Sequence, residues 1–358
     1  MVPDIKILII GGYGNVGSKI VSILDSMQLF SITIAGRNLD KAHKLAKQYS
    51  KNVHSCKFDA QEFLQKKLYI KNNDIIISCI DLSDDKLAKF ILENGKIYID
   101  LTASYEYIQK VEQINDIALI NKGLAVLSVG LVPGLSNLMI KHLQQISKRL
   151  NHFEKAEIFV QLGLGDTNGK AAVQWILNNV NKEYIVKNKN QDFSYKPLTK
   201  GKYEEIFGKR VLFYPFNFSD QHVVCNTLNI NRVVSYLGFN SNLISILFSF
   251  LKKIGFFNLL KIKSVNNLLL KAFTKIRIGN DLFSLNTKLY TTDEKVYSLS
   301  VLGKEEAVTT ARIVCNLIRW IHFSYNSLPV GVNHIEQLFS YEEAMKDLNF
   351  KIQLQIEG

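Results

Sequence analysis

The chain has 358 residues, 47% of them hydrophobic and 21% charged, which is the balance of a globular protein long enough for two domains. Its net charge of +12 is uneven: residues 1–130 hold 16 Lys+Arg against 14 Asp+Glu, so most of the excess belongs to the later part. Four scattered cysteines without a CxxC pair argue against a disulfide framework or a metal site, and the lack of a leader-like start or an apolar run of ~18 residues points to a cytoplasmic protein without a spanning helix.

The informative stretch comes first. Ile7 to Ile10 read as a strand, and Gly12-x-Gly14-x-x-Gly17 follows, with Tyr13, Asn15 and Val16 as the intervening residues and a helix predicted over 19–28. Strand, glycine turn and helix in that order are the setting in which the motif binds a dinucleotide. The first glycine makes the tight turn, the second admits the pyrophosphate and the third lets helix and strand approach. The helix N-terminus offers free amides to the phosphates. A second strand, Phe30 to Ala35, ends at Gly36-Arg37-Asn38. NAD-binding versions place a carboxylate near this strand end, whereas an arginine suits a 2′-phosphate. NADP is therefore expected over NAD, with Arg37 and Asn38 at the adenosine end.

Helix 38–49, strand 53–58 ending at Asp59, strand 74–80, helix 83–94, strand 96–101, helix 104–121 and strand 125–129 continue the alternation. The pattern predicts an α/β fold with a Rossmann-type doubly wound parallel sheet over residues 1–135. Ligands bind beyond the carboxyl ends of such strands. That places Asp59, Ser78, Cys79, Asp100 and the turn Gly130-Leu-Val-Pro-Gly-Leu-Ser-Asn137 at the site, with Pro133 toward the cofactor.

In combination, IGGYGNVG, AGRN, DIIISCI, YIDLTASYE and VGLVPGLSN resemble the saccharopine dehydrogenase (reductase-type) NADP-binding family over about residues 5–140. Gly331 to Phe339 is similar to that family's C-terminal segment. The resemblance implies a second, mixed α/β domain over 136–324, used for substrate binding and dimerisation, with about 325–358 returning to the first. It also implies C–N chemistry on amino-acid-derived substrates.

Within the second half, 155–162 reads as a strand, Gly163 to Gly169 as a turn and 170–180 as a helix, so Lys170 could meet an anionic group, as could Ser136 and Asn137 at the start of the helix after Gly134. Residues 184–215 read as loops and short strands, 282–303 as a hairpin, 305–321 as a long helix and 342–348 as a short one. Residues 221–280 contain no acidic residue but eight Lys+Arg among Leu, Ile and Phe. In the helix 241–254, Ser241, Ser245 and Ser249 form a narrow polar stripe on an otherwise apolar surface. Segment 241–276 suits either an interfacial helix on an anionic membrane or a buried homodimer interface or lid. Nucleic acid is not expected, because the cations are interleaved with aliphatics.

For chemistry, Asp100 ends a sheet strand and Tyr98 lies one pleat away on the same face; burial there raises a carboxyl toward acid–base range. His142 is a weaker candidate. The reading is an NADP-preferring oxidoreductase of the saccharopine dehydrogenase-like type, transferring hydride to or from a C=N bond of a small substrate, carboxylated or acyl. The alternatives are a membrane-associated lipid or enoyl reductase and a non-catalytic NADP-binding scaffold.

Overall fold

The computed structural model describes residues 5–147, 153–163, 170–186, 192–275 and 281–357. The chain divides into two compact units, one of 1–135 with 307–347 and one of 136–306 with 348–358.

The first unit is built from β1 (Ile5–Ile10), α1 (Asn15–Met27), β2 (Phe30–Gly36), α2 (Leu39–Ala46), β3 (Val53–Lys57), α3 (Lys67–Lys71), β4 (Ile75–Ser78), α4 (Lys86–Glu93), β5 (Ile97–Asp100), α5 (Tyr105–Glu112), α6 (Asn115–Ile120) and β6 (Leu124–Leu127). Its seven strands are all parallel, and the last of them comes from the C-terminal part, Gly331–His334. From the far edge the order is β3, β2, β1, β4, β5, β6 and then that strand, the doubly wound arrangement the alternation predicts. Ile7 to Ile9 of β1 and Ile75 to Ile77 of β4 are fully buried, as expected of strands covered on both faces. The helix predicted over 104–121 is two helices, α5 and α6. Gln113 and Ile114 separate them, and the second starts on Ile114, with no side chain bonding its first amides.

The second unit contains α7 (Ser136–Ile146), β7 (Phe153–Leu162), α8 (Lys170–Asn179), β8 (Tyr184–Val186), β9 (Phe193–Tyr195), β10 (Lys202–Ile206), β11 (Lys209–Pro215), α9 (Asp220–Thr227), β12 (Ile230–Phe239), α10 (Asn242–Lys253), α11 (Lys263–Lys275), β13 (Leu282–Thr291) and β14 (Val296–Lys304). The chain continues through α12 (Glu306–Phe323), β15 (Gly331–His334), α13 (Ile335–Leu338), α14 (Tyr341–Ala344) and β16 (Lys351–Glu357). The second sheet has the order β10-β11-β12-β7-β13-β14-β16, with β12 and β7 parallel and the other pairs antiparallel. It curls strongly. Lys202 on β10 reaches Glu157 on β7 at 2.7 Å, three strands away, and Glu204 on β10 reaches Lys288 on β13 at 2.5 Å.

Several boundaries differ from the sequence reading. The long helix α12 was assigned there to the second domain, but from Ala307 onward it packs with the first. Cys315, Leu317, Ile318 and Ile321 are fully buried on it. The last residues were expected to stay with the first domain, yet β16 pairs with β14 of the second. Among the described residues of 184–215 the short strands expected there are β8, β9, β10 and β11, and 221–239 form α9 and β12 within the stretch read as apolar-basic. Of the turn 163–169, residues 164–169 lie outside the described residues, as does the side chain of Lys170.

Candidate dinucleotide site

The glycine motif is folded as its chemistry requires. Gly11 adopts φ +78° and its amide donates to the Ala35 carbonyl at 2.8 Å, holding the turn against β2. Gly14 caps α1 in extended geometry, with no side-chain cap and no acid in the first turn, so the positive end of the helix is left to a ligand. A Cβ built on Gly14 would come within 3.0 Å of the Gly11 carbonyl and meet no other protein atom, so the space beside it is open for a phosphate. A Cβ on Gly17 would lie 2.5 Å from the Gly11 carbonyl and 2.7 Å from Gly12 Cα, because helix and turn are in contact there. The residues present therefore fit a dinucleotide pyrophosphate. Asn15 and Val16, half-buried, supply the first helical amides.

At the β2 end, the Tyr13 ring lies over Gly36, where any side chain would enter the ring. The Asn38 amide donates to the Tyr13 hydroxyl at 3.2 Å. Arg37 is exposed beside it, and no carboxylate occupies the strand end. Two residues expected at the cofactor also cap the elements that follow them. Asn38 caps α2 by accepting from the Lys41 amide at 2.9 Å, and Asp59 caps the 3-10 turn Ala60–Lys66 by accepting from Gln61.

Register brings the other strand ends together. Ile10 of β1 pairs with Ser78 of β4, which pairs with Asp100 of β5. Ser78 is fully buried and donates to its own loop at the Ile80 carbonyl. The Cys79 backbone and the Ile80 side chain lie against Gly11. Burial and the nearby Asp100 push the Cys79 thiol up to about 12, so it is no nucleophile. The segment Gly130 to Leu135 doubles back, its Leu135 amide donating to the Gly130 carbonyl at 2.9 Å, with Pro133 buried and Gly134 at φ +136°.

Asp100 is the most perturbed carboxyl at this edge. Burial drives it up; the Tyr98 hydroxyl, donating to Oδ2 at 2.6 Å, and the Thr102 amide, donating to Oδ1 at 2.9 Å, draw it back, and nearby Asp81 adds like charge. The balance lies at about 7. Tyr98 also meets Tyr107 through a 2.8 Å hydroxyl contact, and burial beside Asp100 pushes both phenols well above their usual range. Asp100 and Tyr98 are 1% and 0% exposed, the burial expected of the carboxyl, and with Tyr107 they form a proton-holding array beneath the edge. Sequence reading placed Asp81 and Thr102 among the strand-end positions but missed Tyr107. Asp81 is the carboxylate of this group that reaches the surface. The contacts join a strand to the loop and helix after it, and no periodicity encodes such a contact.

His334 joins Ser128 Oγ to Glu112 Oε1, at 2.9 Å on each side. Ser128 is buried at φ +59°, so this array braces β6, β15 and α5 and offers no accessible hydroxyl. The remaining predicted residues belong to the second unit. Ser136 and Asn137 are fully buried, with Ser136 donating to Asn137 at 3.2 Å, and His142 is half-buried on α7. Among the described residues, no group of His, Cys, Asp and Glu could hold a metal ion.

The first unit is thus a doubly wound dinucleotide-binding domain. Residues 7–124 match the family model described as saccharopine dehydrogenase NADP binding domain, so this part of the chain is similar to that domain. The fold is similar to that of a solved structure of saccharopine dehydrogenase (L-Glu forming) from Saccharomyces cerevisiae, with a TM-score of 0.70 over 98% of this chain and 99% of that one, at 12% identity. A glutamyl-tRNA reductase from Sulfolobus acidocaldarius is 28% identical over 127 residues, 33% of this chain and 28% of that protein. The chain thus spans well under a third of the curated relative it matches.

Proposed function

We propose that the protein is an NADP-preferring oxidoreductase that transfers hydride to or from a C=N bond of an amino-acid-derived substrate. The observation that carries the chemistry is the buried Asp100, poised at about 7 beside the strand ends that flank the glycine turn. A group near the working pH exchanges a proton with the least cost. The nicotinamide, when bound, supplies or accepts the hydride. Gly14 and the start of α1 hold the pyrophosphate, and Arg37 supplies the charge that a 2′-phosphate needs. Asp100 holds the proton with Tyr98 and Tyr107 around it and sets the field at the edge; it is a positioning residue, because its side chain is covered. Imine reduction asks for a hydride, a proton and little else of the protein. The name of the yeast structure, with its L-Glu-forming reaction, supports an amino-acid substrate.

The test is a thermal shift of the purified chain with NADPH, NADH and neither. A ligand bound only to the native state adds ~2.7 kcal/mol at a hundredfold excess over Kd. The expected outcome is a larger rise with NADPH, and a reversal of that preference in Arg37→Asp. An unchanged preference in Arg37→Asp sinks the 2′-phosphate role. A rise with no imine-dependent loss of NADPH absorbance would favour a non-catalytic binding protein.

A further inference from the structure

Helix α10 turns its polar stripe inward and its apolar face outward. Ser245 is buried and its hydroxyl accepts from the Phe239 amide at 3.2 Å, while the half-buried Ser249 donates to the Leu198 carbonyl at 2.8 Å. Lys252, on the same side, donates to the Asn181 side chain at 2.7 Å, and Phe248 packs on Phe239 at 4.9 Å. On the opposite side Leu243, Ile246, Leu247, Phe250 and Ile254 follow a spacing of three and four, and each is between 46% and 77% exposed. Leu259, Ile262 and Leu268 of the following segment are also exposed. A helix with a solvent-facing apolar stripe of this length marks an interaction surface.

We propose that this face lies on an anionic membrane surface. The stretch from 221 to 280 holds eight Lys+Arg and no acidic residue, and Lys253 and Lys261 are exposed at the margin of the apolar stripe. Aliphatic side chains with lysines at their edge meet both requirements of an acidic bilayer, hydrocarbon below the headgroups and negative charge at their level. A second copy of the chain fits less well. A two-fold contact sets the same patch against itself, so the lysines would face lysines, with no carboxylate from the stretch between them. Among the described residues no helix is long and apolar enough to cross a membrane, so the contact is an in-plane one.

The experiment is co-sedimentation of the full chain with vesicles of phosphatidylcholine alone and of phosphatidylcholine with phosphatidylserine, beside sedimentation of the protein without lipid. Binding is expected on the serine-containing vesicles and to weaken in high salt. Leu247→Glu with Phe250→Glu, both at exposed positions, should remove it while the circular dichroism spectrum stays unchanged. Lys253→Glu with Lys261→Glu should lower partitioning at least about tenfold, since each lysine at such a surface is worth a factor of about five. No binding to the acidic vesicles, or equal binding to both kinds, overturns the proposal. So does a concentration-dependent dimer that the Leu247 and Phe250 substitutions disperse while vesicles capture nothing.

Discussion

Asp100 gains a proton by folding. Its carboxyl lies at about 7 in the native chain against an ordinary 3.8, because burial outweighs the hydrogen bonds from Tyr98 and Thr102. Between those values the folded chain holds a proton that the unfolded chain has released. Stability contributed by this group is therefore present at low pH, falls as pH rises from about 4 to 7, and is lost above 7, by on the order of a few kcal/mol. Asp100→Asn should flatten that decline, seen as a smaller difference in Tm between pH 5 and pH 8. If the array serves the reaction, the same variant also loses the limb of the kcat profile near 7; a structural carboxyl would alter Tm and leave that limb in place. The glycines separate ligand from fold. Gly14→Val should abolish the NADPH-induced rise in Tm with a small change in the unliganded Tm, since its Cβ meets one carbonyl at 3.0 Å. Gly17→Ala should lower the unliganded Tm itself, overpacking the turn at a cost of roughly 1–3 kcal/mol. Residue types were legible at this scale: Gly12, Gly14 and Gly17 could be read because each meets a requirement set within a dozen residues. Tyr107 could not, because nothing in its own helix indicates that its hydroxyl reaches the Tyr98–Asp100 pair.

At the scale of elements, β7 carries the best-paired buried charge of the second unit. Glu157 is 1% exposed and is held by Lys155 at 2.6 Å, Lys202 at 2.7 Å and the Tyr290 hydroxyl at 2.6 Å. Burial raises its carboxyl, but these partners outweigh burial and hold it at about 2. Its stabilisation is thus complete above about 4.5 and is lost as pH falls toward 2. Glu157→Gln leaves two lysines beside a neutral amide inside the curl, and should cost about 3–5 kcal/mol in a urea titration followed by circular dichroism. Strand β7 itself was readable as a strand, and the β13–β14 hairpin from its alternation. Helix α10 was readable as a helix, but its orientation was not. Its serines and its aliphatics are equally amphipathic from either side, and only the acceptors and donors at Phe239 and Leu198 decide that the serines turn in.

For the whole molecule, the two units exchange ends. The first takes back 307–347, and the second reclaims 348–358 as an edge strand on β14. Removing the chain after Asp347 uncovers the backbone of β14, an edge open to association with other chains. The truncated protein should retain NADPH binding by fluorescence titration while its second unit unfolds at lower temperature and aggregates. Equal thermal stability of both forms would mean that β16 adds nothing to that sheet. The sequence alone determined the doubly wound first unit, its dinucleotide turn and its family resemblance, because these rest on local period, on glycines with short-range tasks and on strands buried on both faces. Tertiary structure decided three further things. It joined Tyr107 and Thr102 to the Tyr98–Asp100 pair, turned the apolar face of α10 to the outside, and placed α12 and β16 in opposite units. Each of these depends on contacts between residues far apart in the chain, and hydrophobic periodicity states only that a face must be buried or bound, never against what.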